Sequence, residues 1–144
     1  MNPPTTVMAF DYGLRQIGVA VGNSRTQTSS AITTLKARDG VPDWQCVEQL
    51  IQEWQPELLV VGEPFNMDDS EGELAPRARK FARRLEARFR VPFSMVDERL
   101  SSAEAKSQLA EQGHRGDYTD DPADSLAAKL ILDTWLGQHG GVSR

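Results

Sequence analysis

Acidic side chains follow two of the apolar runs that predict buried strands. Asp11 ends the run at residues 7–11, and Asp97 and Glu98 follow the run at 91–96. A charge at the end of a core strand is costly unless it is paired, hydrated or bound to a metal, so these carboxylates are candidates for chemistry. Asp11 could instead be a turn-capping aspartate. Because adjacent strand residues point to opposite faces, only one of Asp97 and Glu98 can share a face with Asp11, and the spacing leaves either open.

A third candidate acid, Asp124, lies in the first turn of the last predicted helix. The helical period places it on one face with small and apolar residues that should pack on a sheet. Those residues are Ala127, Ala128, Ile131 and Trp135. An acid in the first turn also complements the helix dipole, which is the alternative interpretation. Because Asp120 or Asp121 can cap the N-terminus of this helix, an inward-pointing Asp124 is better explained by a shared site.

Three carboxylates that converge at one sheet edge would repel one another, and a divalent cation resolves the repulsion. Mg²⁺ and Mn²⁺ prefer carboxylate and water oxygens as ligands. Two such ions about 4 Å apart can activate a water and stabilise the leaving oxygen of a phosphodiester. Zinc and histidine chemistry are disfavoured, because the chain has one cysteine and only two histidines, His114 and His139, in a predicted loop and tail.

Basic residues concentrate in one predicted helix. Seven of the sixteen Lys and Arg residues lie between positions 77 and 90, on the face opposite Phe81 and Leu85. This face is either solvated or a contact surface for a phosphate backbone, in which Arg77 and Lys80 would take part. Arg15 and Arg99 each lie beside a candidate acid, where they could hold a phosphate or pair with that acid. The seven residues are Arg77, Arg79, Lys80, Arg83, Arg84, Arg88 and Arg90.

The elements that must position these side chains alternate along most of the chain. A three-stranded antiparallel meander is followed by helices alternating with strands, which predicts an α/β fold whose later strands are parallel. Asp43 is the expected N-cap of the first helix, which Pro56 ends, and Cys46 within it is expected to be buried. The predicted strands are residues 7–11, 17–22, 31–35, 57–62 and 91–96, and the later helices are 75–90, 101–113 and 122–136.

Composition predicts one ordinary globular domain. The 144 residues are expected to form a single domain, with an ordered core at about residues 7–136 and a mobile tail at 137–144. The net charge of −5 argues against a general nucleic-acid coat but leaves room for a nuclease with a local basic patch. No apolar run approaches a membrane span and no signal peptide is visible, so we expect a cytoplasmic protein without a membrane partner.

Five short motifs occur along the chain in a fixed order. They are Phe10-Asp11-Tyr12-Gly13 with Arg15 and Ile17-Gly18-Val19-Ala20, Val61-Gly62-x-Pro64 with Asn66-Met67-Asp68, Arg77-Ala78-Arg79-Lys80-Phe81-Ala82, Asp97-Glu98-Arg99-Leu100-Ser101 with Glu104-Ala105, and Asp124-Ser125-x-Ala127-Ala128. Each motif alone is weak, but five in this order are specific. From about residue 7 to residue 135, the chain resembles the YqgF family of pre-16S rRNA nucleases and Holliday junction resolvase-like proteins.

The resemblance implies both a fold and a site. The fold would be the three-layer α/β/α arrangement of the ribonuclease H superfamily, with a mixed five-stranded sheet. Asp11, Glu98 and Asp124 would be the catalytic acids that bind Mg²⁺ or Mn²⁺. The resemblance thereby favours Glu98 over Asp97. The activity would be phosphodiester hydrolysis in 5′-end processing of pre-16S rRNA, within ribosome biogenesis. Glu63 departs from the family pattern, in which an apolar residue is common, and the acidic segment 117–121 departs where relatives often carry lysine.

Three other functions compete with this one. The same chemistry could cut a branched DNA junction, where a symmetric homodimer rather than a monomer would be expected. The fold could serve a non-catalytic RNA-binding factor in assembly of the ribosomal particle, although all three acids are present. An actin-like ATPase has a similar phosphate-binding turn but needs two such domains, and 144 residues supply one.

Overall fold

The computed structural model describes residues 5–63, 74–97 and 122–139, with side chains of the last helix described from 126 to 138. The helix predicted at 101–113 and the acidic segment 117–121 lie outside these ranges. Three helices and six strands occur in the described part of the chain. The helices are α1 (Trp44–Trp54), α2 (Leu74–Phe89) and α3 (Pro122–His139). None of them has the length and hydrophobicity that crossing a membrane requires.

The strands form one mixed sheet in the order β4-β3-β2-β1-β5-β6. Strands β1, β2 and β3 form the predicted antiparallel meander, and β5 and β6 run parallel to β1. The carboxyl ends of β1, β5 and β6 therefore meet at one edge of the sheet. The strands are β1 (Thr6–Asp11), β2 (Gln16–Asn23), β3 (Thr28–Arg38), β4 (Val41–Pro42), β5 (Leu58–Glu63) and β6 (Phe93–Asp97).

Helices cover both faces of the sheet, which gives the three layers. On one face, which we call the α1/α2 face, Met8 and Phe10 of β1 pack with Val47 of α1 and Phe81 of α2. On the other, the α3 face, the buried residues come from β1, β2, β5, β6 and α3. They include Val7, Ala9, Ala20, Val60, Val96, Ala128, Ile131 and Leu132. The uninterrupted apolar run of β5 follows from this double coverage, because both of its faces are buried.

Local sequence signals explain how α1 begins and ends. The Asp43 carboxylate accepts a hydrogen bond from the backbone N–H of Gln45 at 3.0 Å, as expected of an N-cap. Gln55 ends the helix in a left-handed conformation with φ of 48°, and its N–H bonds to the Ile51 carbonyl. Pro56 then prevents further helix. The α1 boundaries therefore agree with the prediction.

Four expectations differ from the structure. Strand β3 already begins at Thr28, in a polar stretch predicted to be a loop, because pairing with β2 continues to Asn23. The sheet has six strands rather than five, since Val41–Pro42 pairs with the end of β3. Helix α3 continues to His139, beyond the predicted end at residue 136. Cys46 is exposed rather than buried, because it lies on the solvent side of α1.

Candidate active site

Asp11 is the last residue of β1 and lies at the edge where the parallel strands end. Its neighbours in β1 from Val7 to Phe10 are fully buried, while Asp11 itself is half-buried opposite Gly18 of β2. Side chains alternate along the strand, and Val7 and Ala9 belong to the α3 face. Asp11 continues that series, so its carboxylate is on the α3 face at the mouth of the sheet.

The turn after Asp11 is tightly closed. A Cβ at Gly13 would lie 2.5 Å from the carbonyl oxygen of Gln16, so only glycine fits this close approach of the backbone. Arg15 lies at the exposed tip of the turn, and its carbonyl accepts a hydrogen bond from the N–H of Ala37 at 2.7 Å. The turn is therefore anchored to β3 through its backbone, and Arg15 is exposed at its tip, four residues after Asp11.

Two further acids end the neighbouring strands at the same edge. Glu63 ends β5, Asp97 ends β6, and the two are partners in the register of the sheet. In β6, Phe93 and Met95 pack on the α1/α2 face, whereas Val96 packs on the α3 face. Asp97 continues the series of Phe93 and Met95, so it lies on the face opposite Asp11. Asp97 therefore cannot be the acid that shares a face with Asp11.

Glu63, the departure from the family pattern, has a structural partner. Its carboxylate forms an ion pair with the guanidinium of Arg79 in α2, and the side chains are 16% and 30% exposed, respectively. This pair ties α2 to the end of β5 and neutralises one of the three charges at the edge. Sequence reasoning assigned Arg79 only to the basic helix face and missed the pair. The alternation of β5 is the signal that could have found it, because it turns Glu63 towards the α1/α2 face.

The structure describes only the backbone of Asp124 and no part of Glu98. Glu98 and Arg99 lie outside the described residues, and the side chain of Asp124 does as well. The backbone of Asp124 lies in the first turn of α3, as predicted. Within the described ranges, no three His, Cys, Asp or Glu side chains are grouped so that they could hold a metal ion.

Helix α3 is anchored at the opposite end of the sheet from Asp11. The Ser29 hydroxyl donates a hydrogen bond to the Asp133 carboxylate. Ser29 pairs with Gly22 of β2, and Gly22 pairs with Val7 at the start of β1. The carboxyl-terminal half of α3 therefore lies level with the amino end of β1.

The basic residues of α2 separate into different environments rather than forming one solvated face. Arg77 donates hydrogen bonds to the carbonyl and carboxylate oxygens of Asp39, at 2.9 and 3.3 Å. The guanidinium of Arg88 lies 4.2 Å from the ring centre of Trp44. Lys80 is exposed and, with Arg77, lines a cavity beside Tyr12. Arg77 and Lys80 therefore lie close together at one cavity.

Tyr12 connects the Asp11 strand to this cavity. It is buried on the α1/α2 face, with its ring centre 5.2 Å from that of Phe81. Burial raises the pKa of the Tyr12 phenol above its usual value of 10.0, while Arg77 opposes the shift. The phenol is consequently neutral at physiological pH and can donate a hydrogen bond.

The sequence matches one family model and similar curated proteins over nearly its full length. Residues 5–138 match the family model RuvX, described as Holliday junction resolvase. A protein of Saccharophagus degradans described as "Putative pre-16S rRNA nuclease" is 51% identical over 134 residues, covering 93% of this chain and 94% of that protein. A protein of Chromohalobacter salexigens with the same description is 52% identical over 138 residues, covering 96% and 93%.

The fold is similar to the folds of solved resolvase structures. The RuvC structure of Thermus thermophilus matches with a TM-score of 0.53 at 17% identity, covering 94% of this chain and 97% of that one. The yeast mitochondrial Holliday junction resolvase matches with a TM-score of 0.51 at 12% identity, covering 96% and 81%. At these identities the likeness concerns the fold, and it confirms the ribonuclease H-like α/β architecture.

Proposed function

The chain belongs to the RuvX family of nucleases, and on that premise we propose that it is a divalent-metal-dependent nuclease that processes the 5′ end of pre-16S rRNA. The observation that carries the proposal is the position of Asp11. It is a half-buried carboxylate on the α3 face, at the end of a fully buried strand and beside two parallel strand ends. Ligand sites of open α/β sheets lie beyond this edge.

We assign Asp11, Glu98 and Asp124 as the acids of the site. The alternation of β6 turns Asp97 away from Asp11, which supports Glu98, the next residue, as the acid from this strand. The dimensions of α3 support Asp124. Asp124 is nine positions before Asp133, about 13 Å of helix, and Asp11 is four positions after Val7, about 13 Å of strand. A helix running back along β1 from its anchor at Ser29 would thus bring Asp124 level with Asp11.

This donor set fits a hard cation. All three proposed ligands offer carboxylate oxygens, which suit Mg²⁺ or Mn²⁺ better than zinc. A bound ion would supply positive charge that offsets the charge developing on the phosphodiester. The protein would contribute the rigid end of β1, a low-dielectric wall of core residues behind Asp11, and the cations Arg15 and Arg99 to hold the substrate phosphates.

The names of the relatives favour ribosomal RNA as the substrate. Proteins about half identical to this chain over nearly its full length carry the description of a pre-16S rRNA nuclease. A precursor of ribosomal RNA, alone or in a pre-ribosomal particle, would place the enzyme in the bacterial cytoplasm. A monomer suffices for a single cut in RNA.

Cleavage of branched DNA is the second candidate, because the matching family model carries the description of a Holliday junction resolvase. The two functions differ in geometry. A four-way junction is two-fold symmetric, so paired cuts require a homodimer with both sites facing the junction.

A cleavage panel separates the candidates. Wild-type protein and the Asp11→Asn variant are incubated, with Mg²⁺ or Mn²⁺ and with EDTA, on pre-16S RNA, an unrelated single-stranded RNA and a DNA four-way junction. We expect metal-dependent cuts at the 5′ side of the pre-16S RNA by the wild type alone. Paired cuts in the junction and none in RNA would replace this proposal with the resolvase function, and cleavage by Asp11→Asn would contradict the site.

A further inference from the structure

A cavity of about 180 Å³ opens on the α1/α2 face, on the other side of β1 from Asp11. The turn between β3 and β4 forms one wall, with Asp39 and Gly40, and α2 forms the other. Tyr12 and Trp44 are also among its lining residues. Because Tyr12 directly follows Asp11, the cavity is joined to the proposed site through the end of one rigid strand.

The cavity has a net positive lining. Three cations from α2 face one acid from the turn, Asp39. The cations are spaced three and four residues apart, so they form a stripe along one side of the helix. They are Arg77, Lys80 and Arg84. Arg83 and Lys80 are both exposed, but Arg83 is on another side of the helix and does not line the cavity.

The wall of the cavity is held in place by two contacts. Arg77 donates hydrogen bonds to both the carbonyl and the carboxylate of Asp39, which links α2 to the turn. The Tyr12 hydroxyl fills the space beside Gly40, since a Cβ on this residue would lie 1.9 Å from that oxygen. Gly40 has φ of +82°, a conformation that glycine adopts without strain. These contacts hold the turn, Tyr12 and α2 together, so the wall of the cavity is formed by packed elements.

The aromatic residue of the cavity is already engaged by the protein. The Trp44 ring stacks on Phe81 at 6.0 Å with an interplanar angle of 26°, and Arg88 covers it at 4.2 Å. A nucleobase stacking on this ring would have to displace such contacts. Apart from the acid Asp39, the polar side chains of the lining are three cations and a hydroxyl, which bind phosphate oxygens without reading a base.

We propose that this cavity binds a phosphoryl group of the nucleic-acid strand whose cleavage is assigned to the Asp11 edge. The inference rests on the proposed function, because it makes the cavity an anchoring point for the same substrate, a short distance from the cut. The strand would cross the end of β1 from the α3 face to the α1/α2 face. Binding there is independent of sequence and of metal. Asp39 reduces its strength, since its negative charge faces the same space.

The test measures binding of a labelled single-stranded RNA in EDTA, where no metal-dependent cleavage takes place. The double variant Lys80→Ala/Arg84→Ala should bind roughly 10-fold more weakly at low salt, with a salt slope reduced by about 1.4 because two charges are lost. Arg83→Ala on the same helix is the matched control and should bind as the wild type does. Circular dichroism verifies that each variant is folded.

A second variant changes the charge of the cavity in the opposite direction. Asp39 has φ of 52°, and asparagine tolerates this left-handed conformation. Asp39→Asn should therefore keep the turn and bind the RNA about threefold more tightly, because one repulsive charge is removed. A purely structural role for the turn predicts equal or weaker binding.

The source of the phosphoryl group is tested with a nucleoside monophosphate, observed through the indole N–H resonance of Trp44. RNA binding weakened in the double variant, but not in Arg83→Ala, supports the proposal with a strand as the source. An unchanged RNA affinity with loss of the monophosphate-induced shift would assign the cavity to a free nucleotide and overturn the proposal of a strand. Equal behaviour of the double variant and Arg83→Ala towards both probes would overturn it. Cleavage by Asp11→Asn would overturn the proposed function while leaving the binding result intact.

Discussion

Replacing Ala128 by leucine should impair catalysis far more than it impairs folding. Ala128 is fully buried on the α3 face, in the same cluster as Ala9 and Ala20, which are opposite each other in β1 and β2. Small residues on helix and sheet permit a close approach. Leucine adds three carbon atoms at a fully buried position, and overpacking of this kind costs about 1–3 kcal/mol.

The overpacked helix can relieve the strain by moving away from the sheet, which would carry Asp124 with it. A misplacement of about 1 Å in a catalytic group can cost on the order of 100-fold in rate. Ala128→Gly is the matched control, because it removes a methyl group without adding bulk. It should lose about 1 kcal/mol of helix propensity and about 0.8 kcal/mol of burial, so its stability should be similar to that of the leucine variant.

The assay pairs urea unfolding with steady-state cleavage of pre-16S RNA at a temperature where both variants are folded. We expect similar free energies of unfolding, near-normal kcat/KM for Ala128→Gly, and a loss of about 100-fold for Ala128→Leu. If the two variants lost activity in equal measure, or if Ala128→Leu retained wild-type kcat/KM, the idea that α3 packing positions Asp124 would be refuted.

Three further predictions concern the edge of the sheet and the cavity beside it. Arg79→Ala should destabilise the fold by about 1–3 kcal/mol, because the mostly buried Glu63 loses this charged hydrogen-bond partner. Urea unfolding of Arg79→Ala, Glu63→Gln and the double variant measures the coupling, and additive effects would argue against the pair. Gly40→Ala should lower the free energy of unfolding by at least about 1–2 kcal/mol because of the left-handed backbone alone. Adding Tyr12→Phe should restore part of this stability, because it removes the hydroxyl that the new Cβ would meet. A double variant with the same thermal midpoint as Gly40→Ala would contradict the steric explanation. Burial raises the pKa of Tyr12 above 10.0, so the folded state holds the phenol proton more tightly than the unfolded state does, and the resulting stability is present below that pH and lost as the pH rises above it. Urea unfolding on both sides of this pH should show the loss in the wild type and a smaller one in Tyr12→Phe. Identical pH dependence in the two proteins would disprove the prediction.

Much of the fold follows from local patterns that the sequence displays directly. The apolar runs of β1 and β5, the Asp43 cap and the strand–helix alternation predicted the elements and the parallel direction of the later strands. The errors occurred where pairing overrides local composition. Thr28, Ser29 and Ser30 look like a loop but form a strand because β2 extends beside them.

The site was predictable in its residue types but not in the faces they occupy. The spacing alone left Asp97 and Glu98 as equal alternatives, and the packing of Met95 and Val96 on opposite faces is what turns Asp97 away from Asp11. Glu63 was visible only as an unusual residue. Its partner Arg79 is sixteen residues away on another element, so the ion pair depends on tertiary packing that no local pattern encodes.

The most direct test of the account compares pre-16S RNA cleavage by four proteins: wild type, Asp11→Asn, Glu98→Gln and Asp97→Asn. Loss of a carboxylate that helps to bind metal should remove several kcal/mol of transition-state stabilisation, a fall of at least about 100-fold in kcat/KM. We predict this fall for Asp11→Asn and Glu98→Gln, and activity near that of wild type for Asp97→Asn. Full activity in Asp11→Asn, or loss in Asp97→Asn with Glu98→Gln unaffected, would contradict it.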